Sequence, residues 1–483
     1  MLQPRLIIKI VGLLLCAIAA FMLLTFCVAA GCGDASMWAL LISAGITAAC
    51  GSVCFLLNRK VRHAITKNDG FVIVSLFWLL MSFFGSMPYL LSGAIPSLTD
   101  AFFETVSGFT TTGSSILDHI EALPAGILFW RSLTQWLGGL GVVTLSLAIF
   151  PMFGIGGMQL FSSESTGLTT DKISPKIRQT ARNLWLFYVA ATALQTGLLC
   201  IGGMGLFDAI NHAFTTMSSG GYSTKTASVA FWDSAYIQYV FIVFMFISGI
   251  NFALCCGFVM GKSRRLFKDE EFRTYTFITL GFAVAIFIGL ATTGTSHNYE
   301  QMFRKALFQV TSILTTTGFI TADYMKWAPF MTMLIFALFF IGGCAGSTSG
   351  GVKVVRVLVL VRNCFYELRR LLHPNAIIPV RYNKRAVPQN ILMSLLAFFM
   401  TYALIFCISV ALFMLIEPDM DTSIGAVASS LGNIGPGLAK YGPSASFSQL
   451  HPLGKWFMSF LMLLGRLELF TVLVLFSPAF WKK

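Results

Sequence analysis

Thr110, Thr111, Thr112 and Gly113 end the stretch FETVSGFTTTG, and Thr315, Thr316, Thr317 and Gly318 end FQVTSILTTTG. Two further stretches align with these on a glycine. INHAFTTMSSG ends in Met217, Ser218, Ser219 and Gly220, and GAVASSLGNIG ends in Gly432, Asn433, Ile434 and Gly435. None of these end positions carries a carboxylate or an imidazole, so acid–base chemistry has no group to use there. Small hydroxylated residues beside glycine offer backbone carbonyl oxygens instead, because glycine permits chain geometries that other residues resist. Four such segments closed into a ring present carbonyls to its axis. Carbonyl rings of this kind replace the hydration shell of a monovalent cation.

Three other features stand out. Phe339–Val355 reads FFIGGCAGSTSGGVKVV, with Gly342, Gly343, Gly346, Gly350 and Gly351 crowded inside a long apolar run. Glycine and hydroxyl residues at this density unwind a helix, so a flexible loop is expected that gates passage beneath the ring, ending near Lys353. The string is not a phosphate-binding loop. That motif needs glycine directly before lysine, and Val352 intervenes. Arg466 lies within FLMLLGRLELFTVLVLF. An arginine at mid-span costs about 2.5–3.5 kcal/mol on insertion scales and should face the protein interior. Facing the axis, it places a positive barrier to free cation flow below the ring. Glu468, two residues on, does not share its helix face, so a simple internal pair is not expected. The six histidines are scattered without HExxH spacing, no Gly-x-Ser-x-Gly is present, and an enzyme is not indicated. His212 is expected to pack or hydrogen-bond.

The elements that must position these residues are membrane spans. The 483 residues are 56% hydrophobic and 11% charged, against about 25% charged in soluble proteins, so the chain is a polytopic all-α membrane protein. Ten spans are expected, roughly 6–30, 37–57, 71–92, 127–150, 184–204, 235–260, 274–294, 328–361, 390–416 and 454–478. With the N-terminus and C-terminus cytoplasmic, most Lys and Arg fall on the inner side. This satisfies the positive-inside rule and explains the +13 net charge without nucleic acid. All four glycine-ended segments then lie on the outer side. Each has about ten helical residues before its glycine, a helix of roughly 15 Å that can enter from outside and stop at mid-depth. Irregular backbone is tolerated at that depth only where protein buries it or water lines it. The units are an accessory hairpin, 1–68, and four repeats of helix, pore loop and helix: 69–165, 166–268, 269–366 with an interrupted second helix, and 367–483. The outer acids Asp118, Glu121, Asp323, Glu417, Asp419 and Asp421 are expected to draw cations to the entrance. The eleven cysteines suggest neither a disulfide framework nor a metal site.

The chain resembles the Trk-type potassium-uptake membrane subunits, the TrkH/KtrB superfamily, over nearly its whole length. The resemblance rests on the four segments, FWRSLTQWLGGLGVV (129–143), GGCAGSTSGGVKV (342–354), ELRRLLHPNAIIPVR (367–381) and LLGRLE (463–468). The N-terminal helix pair and the HPNA stretch favour the TrkH branch. The resemblance implies a homodimer in the bacterial inner membrane, one central pore per subunit, and K⁺ as the transported ion, with Rb⁺ passing and Na⁺ less well. K⁺ would be held by backbone carbonyls of the filter. It implies a cytoplasmic ring of nucleotide-binding regulatory subunits of the TrkA type, which hold NAD(H) or ATP themselves, so no nucleotide is expected on this chain. By position the filter glycines are Gly113, Gly220, Gly318 and Gly435, the gate loop is 342–351 and the pore arginine is Arg466. Asn433 and Ile434 depart from the threonine pattern, so the ring is asymmetric. A rival reading is a symporter coupled to H⁺ or Na⁺, with Glu468 as the one candidate carboxylate; such folds usually carry inverted repeats and midplane acids.

Overall fold

The computed structural model describes residues 2–61, 66–148, 175–261, 263–293, 298–376 and 378–482. It is almost entirely helical. The strands among the described residues are one hairpin, Arg381–Tyr382 against Arg385–Ala386. The unit boundary expected at 165–166 lies outside the described residues.

Among the described residues six helices are long and apolar enough to cross a membrane: Pro4–Gly31, Met37–Leu57, Asn68–Leu91, Gln179–Ile201, Glu270–Thr292 and Gln389–Phe413. The first two form the N-terminal hairpin. They cross at Gly12 and Gly51, where a Cβ on either residue would stand 2.7 Å from the other's carbonyl oxygen. Small residues allow this approach, which supplies dispersion contact where lipid gives no hydrophobic drive. The hairpin is tied to the rest through Asp34, which accepts from the Gly126 amide at 2.8 Å, and through the Gln3 amide, which donates to Asp69 at 2.8 Å.

Four short helices follow four of the long ones: Leu98–Phe109, Leu206–Met217, Tyr299–Leu314 and Met420–Gly432. Three begin on side-chain caps. Ser97, Asn298 and Asp419 each accept the amide three residues on, which satisfies an orphan donor of the first turn. At 12 to 16 residues, these helices reach about half-way or somewhat further through a hydrocarbon core. Their far ends are buried: Phe109, Thr216, Leu314 and Leu431 are inaccessible.

The helix after each short one behaves differently from unit to unit. The first, Ala125–Ala148, is continuous as far as described. The second was expected as one span, 235–260. Instead it bends by 109° between Ala235–Ser248 and Phe252–Val259. Gly249 ends the first piece and Asn251 caps the next, accepting the Ala253 amide at 2.8 Å. The third is in two pieces, with Pro329–Leu338 and Val354–Leu372 flanking the glycine loop. The fourth, expected as 454–478, bends by 108° after Arg466, where Glu468 takes a left-handed φ of 54°. At Gly465 a Cβ would meet the Leu431 carbonyl at 2.2 Å, so the piece before this break packs backbone to backbone on the fourth short helix.

Candidate functional site

All four short helices end in the same way. Thr111, Ser219, Thr316 and Asn433 sit at left-handed φ values of 52°, 57°, 56° and 54°. The amide of each bonds three residues back, to Gly108, Thr216, Ile313 and Ser430. The amide of the following residue bonds five back, to Ser107, Thr215, Ser312 and Ser429, at 2.8–3.0 Å. This paired closure is a left-handed helix stop, usually built on glycine. Here threonine, serine and asparagine hold the left-handed position. For a β-branched residue that geometry costs roughly 1–2 kcal/mol. The second residue of each return, rather than its glycine, carries the left-handed stop.

A second left-handed φ follows two residues later, at Gly113 (84°), Gly221 (74°), Gly318 (81°) and Gly435 (104°). The second segment is therefore shifted by one residue from the alignment on Gly220. Its return is Ser218, Ser219, Gly220, Gly221, and Met217 is the last residue of the helix. Gly220 occupies the place held by Thr112, Thr317 and Ile434. Two adjacent glycines left the register open in the sequence, and the helix-end hydrogen bonds decide it.

The four returns meet in a closed circuit. A Cβ on Gly113 would stand 2.2 Å from the Gly220 carbonyl oxygen, on Gly221 1.8 Å from that of Thr317, on Gly318 2.3 Å from that of Ile434, and on Gly435 2.8 Å from that of Thr112. Each glycine thus admits the carbonyl of the next segment, in the order one, two, three, four, one. The glycines line one cavity of about 140 Å³. The first and third threonine hydroxyls of each TTT run turn back on their own segment. Thr110 and Thr112 lie 2.7 Å apart and Thr315 and Thr317 2.8 Å, while Thr110 and Thr315 are also within reach of carbonyls of their own helices. The four helix C-termini put partial negative charge at the same depth.

Behind the ring, Arg131 donates to Glu104 at 2.7 Å and to the Ser223 carbonyl at 2.9 Å. Its guanidinium covers the Tyr222 ring at 3.5 Å. His212 packs against Phe319 and holds the second return. Its Nδ1 donates to the Asp208 carbonyl at 2.8 Å, leaving Nε2 to accept from the Ser223 hydroxyl at 2.9 Å.

Directly against the left-handed residues lies the loop 339–353. Its neck is closed by the Gly342 amide on the Val352 carbonyl and the Val354 amide on the Gly343 carbonyl. Its tip touches the ring from one side. The Gly350 amide donates to the Thr316 hydroxyl at 2.6 Å, and the Thr348 hydroxyl lies 2.9 Å from that of Ser219. Thr348 also donates to the Met217 carbonyl at 2.9 Å. The bend in the second unit receives the loop: the Cys344 amide donates to the Gly249 carbonyl, and the Phe252 amide to that of Gly346. Arg466 closes the arrangement, donating to the Thr348 carbonyl at 2.8 Å and the Gly138 carbonyl at 3.3 Å. Lys353 binds back to Ser349 within the loop. Glu468 is paired with Arg356 at 2.5 Å, not with Arg466.

Sequence reasoning missed Glu271, one carboxylate at the start of an apolar helix. It is buried, and one oxygen accepts the Ala345 amide at 2.7 Å and the Val355 amide at 3.1 Å, pinning both arms of the loop. Its neighbours face the hairpin at 381–386. Asn383 donates to Asp269 at 2.9 Å and accepts the Glu270 amide at 3.0 Å.

The outer acids differ from expectation. Of the six, Asp118 lines the cavity, beside Lys225 and Arg131. The others are engaged locally: Glu121 with Thr226, Asp323 with the Met325 amide, Glu417 with Lys440 and Tyr441, Asp419 with Thr422, and Asp421 stands in the first turn of the fourth short helix. Among the described residues no group of three or more His, Cys, Asp and Glu gathers. The oxygens the ring offers are neutral.

A chain with this many apolar membrane-spanning helices, and a ring of neutral oxygens against a glycine loop, is a multi-pass membrane transport protein. Residues 39–483 match the TrkH family, described as cation transport proteins. The chain is 40% identical to the Trk system potassium uptake protein TrkH of Halomonas elongata, over 99% of both chains. It is 39% identical to the protein of the same name from Escherichia coli K12, again over 99% of both. The crystal structure of the potassium transporter TrkH from Vibrio parahaemolyticus superposes with a TM-score of 0.92 at 38% identity, covering all of both chains. The chain belongs to the TrkH family.

Proposed function

We propose that this protein takes up K⁺ through a gated pathway in which the carbonyls of the four returns act as the selectivity filter. The circuit of glycine–carbonyl contacts carries this reading. Four neutral carbonyls held at fixed spacing replace water around a weakly hydrated monovalent ion and demand no proton or acid. Thr110, Thr111, Thr112 and Gly113 form the first wall, Ser218, Ser219, Gly220 and Gly221 the second, Thr315, Thr316, Thr317 and Gly318 the third, and Gly432, Asn433, Ile434 and Gly435 the fourth. The loop 342–351 is the gate, and Arg466 is both its latch and a positive barrier beneath the filter. Related proteins of known name are potassium uptake proteins, which supports K⁺ as cargo.

The pathway conducts without coupling to protons. Glu468, the carboxylate that the sequence offers for coupling, is held by Arg356, and the buried Glu271 is engaged by the Ala345 and Val355 amides. The protein works as a homodimer in the bacterial inner membrane with both termini cytoplasmic, and a cytosolic nucleotide-binding ring sets the gate from below. The basic segment 362–389 and the hairpin at 381–386 offer that partner a contact surface.

The test is reversal-potential recording on purified protein in crossed K⁺, Na⁺ and pH gradients. The wild type should track K⁺ and ignore pH. Gly435→Ser, the mildest intrusion among the four glycines, should lower the K⁺/Na⁺ permeability ratio. A reversal potential that moves with pH, or an unchanged ratio in the variant, would sink the corresponding half of the reading.

A further inference from the structure

At three of the four ring positions the residue whose carbonyl meets the next glycine has a side chain: Thr112, Thr317 and Ile434. The second position, Gly220, has none. Its place is filled from another helix. A Cβ on Gly220 would stand 2.3 Å from Cδ of Gln135, 2.4 Å from its Oε1 and 2.8 Å from its Nε2. Gln135 belongs to Ala125–Ala148, in a stretch that supplied part of the resemblance but no role in the filter. Its amide is fully buried and makes two hydrogen bonds. Nε2 donates to the Gly220 carbonyl at 2.7 Å, and Oε1 accepts the Tyr222 amide at 3.0 Å. A carbonyl needs a donor and an amide an acceptor, so the orientation of the side-chain amide is fixed by its partners.

We infer that Gln135 is a specificity-determining residue of the filter, a detachable side chain for Gly220 that fixes the direction of its carbonyl. The inference rests on the filter reading above. Gly220–Gly221 is the only glycine pair among the four returns, so its connecting peptide has the least steric restraint of any in the ring. The other ring positions are restrained by their own side chains. Thr112 is bound to Thr110 and accepts from Asn433 at 2.9 Å, Thr317 is bound to Thr315, and Ile434 is β-branched and buried. Gln135 holds the carbonyl of the peptide that joins the two glycines and the amide that follows Gly221. Without these two bonds the peptide can rotate its oxygen out of the circuit. A ring with one wandering oxygen discriminates less between K⁺ and Na⁺.

Gln135→Met separates the hydrogen bonds from the packing, because methionine fills nearly the same volume and makes neither bond. In proteoliposomes, Gln135→Met should lower the K⁺/Na⁺ flux ratio about three- to tenfold, the scale of losing one or two buried hydrogen bonds. Gln135→Glu keeps the acceptor for Tyr222 and, once ionised, has no proton to donate to Gly220, so it should lower the ratio as well when the flux is read at a pH high enough to deprotonate it. Gly435→Ser, on the opposite side of the circuit, is the comparison. If it lowers the ratio and both Gln135 variants stay at the wild-type value, the filter stands and the role of Gln135 is wrong. If no variant moves the ratio, the filter reading fails and takes this one with it. Should the methionine variant not elute as wild type on size exclusion, the glutamate variant alone decides.

Discussion

Thr316 carries two burdens at once: a left-handed backbone that threonine resists, and a hydroxyl that accepts the Gly350 amide of the loop at 2.6 Å. Valine has the same branching and the same backbone cost but no acceptor. Thr316→Val should therefore leave the ring in place while stranding a buried amide, a loss of about 1–3 kcal/mol from the closed loop. Basal Rb⁺ flux should rise severalfold at an unchanged K⁺/Na⁺ ratio, and Thr316→Ser should restore the closed level. Flux at the wild-type level in the valine variant would remove this contact from the gate. The tetrapeptides TTTG were legible because hydroxyls and glycine are conspicuous in apolar surroundings. Their division of labour was not. The middle threonine carries the left-handed stop, the glycine admits a neighbouring carbonyl, and no composition argument separates these roles. Gly221 was missed because Ser218, Ser219, Gly220 and Gly221 can be read in two registers, and only the amide bonds to Thr216 and Thr215 choose between them.

At the scale of elements, the interrupted helix is held by parts far apart in the chain: the bend at Gly249–Asn251, Arg466, and Glu271 at the start of Glu270–Thr292. Glu271 is the most informative to change. One oxygen receives both the Ala345 and the Val355 amides, so the neutral amide of glutamine can accept the same pair. Glu271→Ala should free both arms of the loop and raise basal flux severalfold, and Glu271→Gln should stay close to wild type. Equal leak in the two variants would mean that the negative charge, rather than the acceptor, holds the loop. The glycine loop was foreseeable because five glycines interrupt one apolar run. The bends after Ser248 and after Arg466 were hidden by hydropathy, which averages across a break of three residues and reports one continuous span. Only Gly249 and Asn251 hinted at the first, as a helix stop followed by a cap.

Across the whole molecule, charge carries two parts of the proposal: the orientation of the chain and the supply of ions to its mouth. The uneven spread of Lys and Arg between alternate connecting segments was readable directly, since it depends only on counting along the chain, and it is what supports cytoplasmic termini. The outer face was not, because acids that look free in sequence are committed in the fold. Glu121 illustrates this. Partial burial pushes its carboxyl up, but the Thr226 hydroxyl and amide, with the charge of Lys225 nearby, bring it below the usual value, and it stays ionised at neutral pH without facing the cavity. Asp118 is the acid on the cavity wall, and Lys225 and Arg131 line the same cavity. Arg131 is already paired with Glu104, so the balance at the mouth is set chiefly by Asp118 against Lys225. Removing the first leaves a local positive charge in the path of an arriving cation. Such a field acts on local ion concentration and on entry rather than on steps deeper in the pathway, and salt screens it over about 8–10 Å. Asp118→Asn keeps a side-chain oxygen for Ser446 and Ser448, which both donate to the carboxylate now. Rb⁺ uptake by this variant should show a KM raised about two- to fivefold at low ionic strength, with the maximal rate nearly unchanged. The difference from wild type should shrink as an impermeant salt is added. A lowered maximal rate with an unaltered KM would place Asp118 in the support of the ring instead of at its entrance.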